Sequence, residues 1–274
     1  MSLLFLILAG LIGGFLAGLI GVGGGIVFAP VLFFYFQAAG VDPAVLPPLT
    51  IGTSLLCTLL ASLASAWFQL RRGAVLGSVA LSVGAFSALA VFLTTRYVTT
   101  QPWYDKEAFQ IVFSLVLLTV VARMVLSRAR RPDGGTESPP PRHHPWPMLA
   151  AAGTAAGAVS SAAGVGGGVV LVPAYNSFLK IPIHYAVGTS SATIVLIAAV
   201  GVVTYVATGW GAPVPTSALG FVDVGRALLL AVPAVPAARL GVWTAHRIPT
   251  TALRRSFAAI AAFVALRLLW NALN

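Results

Sequence analysis

The chain has 274 residues, 58% of them hydrophobic and 8% charged, with a mean hydropathy of +0.95; this is the composition of a polytopic helical membrane protein and excludes a soluble domain. The net charge of +10 resembles a nucleic-acid signal, but the basic residues fall in short loops and at helix ends (Arg71, Arg72, Arg128, Arg130, Arg131, Arg247, Arg254, Arg255), where they set topology, so no nucleic acid is expected as a partner. A single cysteine, Cys57, excludes an internal disulfide and a thiolate metal cluster, and no cofactor or metal is implied.

Residues 2–20 form an apolar run with no Lys or Arg ahead of it and no small-residue cleavage site, which predicts a retained membrane helix rather than a signal peptide. The run ends in Gly21-Val22-Gly23-Gly24-Gly25, with Pro30 downstream. Four glycines in five residues disfavour a continuous helix by roughly 4 kcal/mol, at about 1 kcal/mol each relative to alanine, so the backbone is expected to leave the helix there. Open backbone at membrane depth survives only against protein or a polar cavity. Further apolar segments follow at 26–39, 46–70, 74–95 and 108–126, and then a tract rich in Pro, Arg, Gly and Ser. The pattern restarts at 148–163, breaks at Gly164-Val165-Gly166-Gly167-Gly168 with Pro173 downstream, and continues at 169–179, 185–208, 224–245 and 251–273. Ile51-Gly52-Thr53-Ser54 matches Val187-Gly188-Thr189-Ser190, and Ala122-Arg123-Met124 resembles Leu266-Arg267-Leu268. The chain reads as an all-α polytopic membrane protein made by duplication, with a first transmembrane repeat at 1–127, a cytoplasmic linker at 128–147 and a second repeat at 148–274.

Basic residues orient the segments. The loop at Arg71 and Arg72, the linker with Arg128, Arg130, Arg131 and Arg142, and the region holding Arg239, Arg247, Arg254 and Arg255 should face the cytoplasm. The uncharged stretch 209–219 then lies outside and Lys180 inside, so the short segments around each glycine phrase must return to the side they came from. Each half becomes a glycine-broken helical hairpin plus three transmembrane helices, and the odd number of spans sets the halves in opposite orientations. That is an inverted repeat with both termini outside. The rival reading counts each broken pair as one span, which gives four spans per half in a parallel repeat and leaves the 239–255 cluster outside.

In an inverted repeat the two hairpins enter from opposite faces and their glycine tips can meet near the bilayer midplane. Each following helix start offers unpaired N–H groups and roughly half a positive charge, so two of them supply about +1 without a buried Arg or Lys. The expected ligand is a small anion, held by Gly21, Gly23, Gly24, Gly25, Gly164, Gly166, Gly167 and Gly168, with Thr53, Ser54, Thr189 and Ser190 adding hydroxyl donors at repeat-related positions. Monoanions should be preferred to dianions. Glycines four apart, including Gly14 and Gly18, also suit close helix packing, and helical hydroxyls often bond their own backbone, so each motif has a structural alternative. Asp42 and Asp223 border the spans as coupling-proton carriers or helix caps. Cys57 reads as a small buried hydrophobe, His143 and His144 as a solvated pair, and Asn176, Tyr175, Trp67, Gln69 and Tyr205 as path-lining or anchoring residues.

These residues resemble the TauE/SafE group of sulfite exporters, also called the toluene-sulfonate uptake permease family. The resemblance rests on Gly18-Leu19-Ile20-Gly21-Val22-Gly23-Gly24-Gly25 with Pro30, on Ser161-Ala162-Ala163-Gly164-Val165-Gly166-Gly167-Gly168 with Pro173, and on the two Gly-Thr-Ser elements, and it covers essentially the whole chain. It implies a multi-pass transporter of the bacterial inner membrane for small organic or sulfur-containing anions of the sulfite, sulfonate, sulfoacetate or thiosulfate type, working by alternating access; a small-anion channel is the alternative. The partners implied are the anion and the lipid bilayer, with a homodimer as a candidate assembly. No nucleophile–base pair, metal cluster or carboxylate pair lies inside the spans, so the chain is not expected to be an enzyme. Members of that group are described with fewer spans than the ten apolar segments counted here.

Overall fold

The computed structural model describes residues 3–126, 145–245, 247, 262–263 and 265–272. In chain order the helices are α1 (Leu3–Ile20), α2 (Gly25–Ala38), α3 (Leu46–Leu70), α4 (Gly77–Thr94), α5 (Lys106–Leu126), α6 (Trp146–Ala163), α7 (Gly168–Pro173), α8 (Ile183–Thr208) and α9 (Val224–Ala245), with residues 265–272 also helical. Within the described residues the segments expected from hydropathy are helices, and both glycine phrases interrupt them. Pro47 and Pro48 open α3, where a missing N–H costs nothing. Wide π-helical turns, Thr95–Thr99 after α4 and Ala174–Phe178 after α7, extend two helices beyond their regular ends. One element departs from the all-α expectation: a short antiparallel ribbon, β1 (Ala218–Leu219) with β2 (Val222–Asp223), turning at Gly220 with φ +55°. Residues 128–144 of the expected linker, with His143 and His144, lie outside the described residues, as do Arg254 and Arg255, while its last two residues, Trp146 and Pro147, already belong to α6.

Among the described residues, four helices are long and apolar enough to cross a membrane: α3, α4 with its π turn, α8 and α9. α1 and α2 are shorter apolar helices, as a broken hairpin requires. The chain is a multi-pass helical membrane protein by this measure.

Residue pairings fix how the helices run. Ser65 meets Ser191, while Leu55 packs at Gly201 and Gly52 at Tyr205, so α3 and α8 are antiparallel. Gly10, Gly14 and Gly18 of α1 abut Leu230, Ala234 and Ala238 of α9, a parallel pair, and Gly153 and Gly157 of α6 abut Val83 and Ser87 of α4, also parallel. The first helix of each half thus packs on the fourth helix of the other half. α3 runs parallel to α9 through Thr53 with Asp223, Cys57 with Ala227 and Arg72 with Val242, and α8 runs parallel to α4 through Gly188 with Ala74 and Leu196 with Gly84. These directions gather the connections 39–45, 100–105 and 209–223 at one end of the bundle, and 71–76 and 179–182 at the other.

Charge separates along the same axis. Asp42, Asp105, Glu107 and Asp223 all lie at the first end, together with Arg96, Lys106 and Arg226, whereas Arg71, Arg72, Lys180, Arg239 and Arg247 lie at the second with no described acid beside them. Asp42 Oδ1 accepts from Ala44 N at 2.8 Å and Asp105 Oδ1 from Ala108 N at 2.9 Å, so these acids satisfy backbone donors at helix starts.

Candidate functional site

The two glycine phrases lie against each other, backbone to backbone, between α3 and α8. A Cβ built on Gly25 would stand 2.6 Å from Val165 Cα, and one on Gly168 2.5 Å from Val22 Cα. Only glycine permits that crossing. Left-handed backbone recurs at the same three positions of each phrase: Gly21, Gly23 and Gly24 have φ of 71°, 83° and 76°, and Gly164, Gly166 and Gly167 of 69°, 75° and 76°. An L side chain in that region costs about 1–2 kcal/mol.

Each glycine has its own neighbour, and this sorts their roles. Gly21 packs on Val187 of α8 and Gly164 on Ile51 of α3. Gly24 and Gly167 face back into their own hairpins, where a Cβ would meet Gly13 O at 2.6 Å and Ala156 O at 2.7 Å. Gly23 and Gly166 each face side chains of both α3 and α8: Gly23 meets Thr58, Ser62 and Ile194, and Gly166 meets Thr58 and Ile194. The first internal helix bonds run from Val27 and Phe28 to Gly24 O, and from Val170 and Leu171 to Gly167 O. The N–H groups ahead of them are the donors that any helix start leaves open.

The Gly-Thr-Ser hydroxyls turn out to hold this architecture. Ser54 Oγ donates to Gly164 O and Ser190 Oγ to Gly21 O, both at 2.8 Å, so each half clamps the other half's break through the first glycine carbonyl. Thr53 Oγ1 donates to Leu49 O at 2.6 Å and accepts from Asp223 N at 2.9 Å; Thr189 Oγ1 accepts from Leu76 N at 3.0 Å. Those N–H groups belong to the residues just before α9 and α4, so the threonines anchor the starts of the opposite half's helices.

Sequence reasoning missed Thr58 and Ser62. Both are fully buried, and neither Thr58 Oγ1 nor Ser62 Oγ has a hydrogen-bond partner, a state that costs about 1–3 kcal/mol per group when nothing fills it. Ser62 Oγ lies 3.1 Å from the Cβ position of Gly23, and the Thr58 methyl touches both breaks. The available signal was their spacing: they follow Ser54 at successive turns of α3.

Away from the breaks, Asp223 is fully buried and its carboxylate accepts from Ser217 Oγ at 3.0 Å, from Arg226 N at 3.0 Å and from the Arg226 guanidinium at 2.8 Å. Asp223 thereby caps α9 and pairs Arg226 at the bundle end. Tyr175 OH bonds Thr193 and Tyr205 OH bonds Thr99 and Ser161, so these two phenols are structural pins. Tyr104, in the loop before α5, donates to Ala162 O at 2.7 Å, and burial pushes its phenol pKa up. Cys57 is buried and donates to Ala227 O, while Trp67 is exposed under the Arg71 guanidinium. No cluster of three or more metal-ligating side chains occurs among the described residues.

Comparison with known proteins agrees with this architecture. The profile of the family described as Sulfite exporter TauE/SafE matches residues 6–268. A probable membrane transporter protein of Haemophilus influenzae is 27% identical over 97% of this chain and 97% of its own length, and one of Methanocaldococcus jannaschii is 25% identical over 93% and 91%. A third, from Bacillus subtilis, is 27% identical over 48% of this chain and 47% of its own. No solved structure matches. With a family match that runs through both glycine phrases and both Gly-Thr-Ser elements, the chain belongs to the TauE/SafE sulfite exporter family of membrane transporters.

Proposed function

We propose that the protein carries small organic or sulfur-containing anions across the bacterial inner membrane by alternating access, and that the anion binds where the two glycine breaks cross. The observation that carries this reading is the pair of partnerless buried hydroxyls, Thr58 and Ser62, beside the left-handed backbone of Gly23 and Gly166. The start of α2 adds a positive dipole end there, and no fixed basic side chain among the described residues competes for the anion at that depth. The repeat boundaries 1–127, 128–147 and 148–274 belong to the same reading. An inverted repeat is supported by the antiparallel α3–α8 pair and by the exchange of first and fourth helices between halves. The end holding Arg71, Arg72, Lys180, Arg239 and Arg247 is the cytoplasmic one, because positive residues stay inside.

Purified protein in liposomes tests the reading. A carrier gives saturable counterflow of a labelled sulfonate; conductance without saturation would make it a channel. The charge available favours one negative charge over two, since a second would enter a low-dielectric cleft uncompensated. Sulfonate binding is therefore expected to stay flat from mildly acidic to mildly basic pH, while sulfite binding weakens as hydrogensulfite loses its proton. Tighter sulfite binding at high pH would contradict this site.

A further inference from the structure

The crossing point is symmetric in backbone and asymmetric in side chains. Counted from the shared Gly-Thr-Ser element, Thr58 of α3 corresponds to Ile194 of α8, and Ser62 to Ala198. All four are buried. Gly23 touches Thr58, Ser62 and Ile194 together, with Cβ-position distances of 2.9 Å to Thr58 Cγ2, 3.1 Å to Ser62 Oγ and 3.2 Å to Ile194 Cγ2. Gly166 touches the same two helices through Thr58 Cγ2 at 2.5 Å and Ile194 Cγ2 at 3.0 Å. To the glycines the α3 side presents the Ser62 hydroxyl and the Thr58 methyl, with the hydrogen-bonding capacity of both residues unused, and the α8 side presents the Ile194 methyl.

Resting on the transport reading above, we infer that Ser62 and Thr58 hold the oxygen atoms of the anion while Ile194 and Ala198 hold an apolar substituent, so that the site selects oxyanions bearing one short hydrocarbon group over bare inorganic oxyanions of the same charge. A bare oxyanion would set hydrated oxygens against Ile194 and lose hydrogen bonds without replacement. A short alkyl group there leaves water for an apolar wall, and two carbons in contact with it favour binding by about tenfold. The two hydroxyls, which have no partner within the protein, donate to the oxygens of the anion. Backbone symmetry permits two orientations, and the side chains choose one.

The test uses the whole protein in lipid nanodiscs, with ethanesulfonate and hydrogensulfite as probes at a mildly acidic pH where both are singly charged, and calorimetry as the readout. The wild type is expected to bind ethanesulfonate about tenfold more tightly than hydrogensulfite. Ser62→Ala and Thr58→Val are each expected to weaken both anions by about tenfold without narrowing their ratio. Ile194→Thr is expected to act on the ratio alone, bringing the two affinities within about threefold. Thermal unfolding of each variant separates loss of the site from loss of the fold, and Ala198→Ser, which adds one hydroxyl, gives a second variant on the α8 side. If the wild type binds both anions and Ser62→Ala and Thr58→Val bind as it does, the assignment of these hydroxyls is overturned and the transport reading stands. If Ile194→Thr leaves the ratio unchanged, the orientation is overturned. If the wild type binds neither anion, the transport reading fails and this inference fails with it.

Discussion

Two seams of the bundle solve the same packing problem in different ways. Along α1 and α9, Gly10, Gly14 and Gly18 press on the backbone at Leu230, Ala234 and Ala238, Gly241 presses back on Phe15, and no side-chain hydrogen bond joins the two helices among the described residues. Along α4 and α6, Gly153 and Gly157 make the same close approach, but hydroxyls pin it: Ser87 Oγ donates to Gly153 O, Thr95 Oγ1 shares a hydrogen bond with Ser161 Oγ, and Tyr205 OH ties Thr99 to Ser161 O. Ser161 stands three residues before Gly164, so this network fixes the second break, whereas the last turn before the first break is held by Ser65 reaching Ala17 O at 3.4 Å. Shape alone holds one seam; shape and hydrogen bonds hold the other.

The difference sets an order of expected effects. Gly14→Ala should be the most damaging single change, because its methyl meets the Ala234 backbone, which cannot rotate away; a loss of about 3 kcal/mol, read as lowered thermal unfolding in detergent, is expected. Tyr205→Phe on the pinned seam should cost about 2 kcal/mol, since it strips partners from Thr99 and leaves Ser161 O without this donor. Ser87→Ala should cost about 1 kcal/mol, the worth of one ordinary hydrogen bond, and its counterpart loss has no equivalent on the glycine-only seam. Gly77→Ala, at a helical position with nothing nearby, is the neutral control and should change stability by less than about 0.5 kcal/mol. A Gly14→Ala variant as stable as Gly77→Ala would show that α1 and α9 do not need the close approach.

The breaks and the arginine-rich end were legible in the sequence, because glycine clusters and charge act locally and leave a pattern. The hairpins follow from the same signals. The tasks of the hydroxyls were not legible: Ser54 and Ser190 clamp glycine carbonyls across the repeat, and Thr53 and Thr189 receive N–H groups from α9 and α4, partners far away in sequence. Nor could spacing reveal that Gly24 and Gly167, central in each phrase, face their own hairpins, while Gly23 and Gly166 face the side chains of α3 and α8. That distinction depends on which way a left-handed residue points, and only the packed backbone decides it. The Ser217 contact with Asp223 was likewise hidden, since it needs the ribbon turn to bring Ser217 alongside.

A crystal structure with bromomethanesulfonate bound, located by the anomalous scattering of bromine, tests the central claim most directly. The account predicts one bromine position at the crossing of the glycine breaks, beside Gly23 and Gly166, with the bromine towards Ile194 and the sulfonate towards Ser62. Density at Arg226 or Arg239 instead, with the crossing left empty, would contradict it.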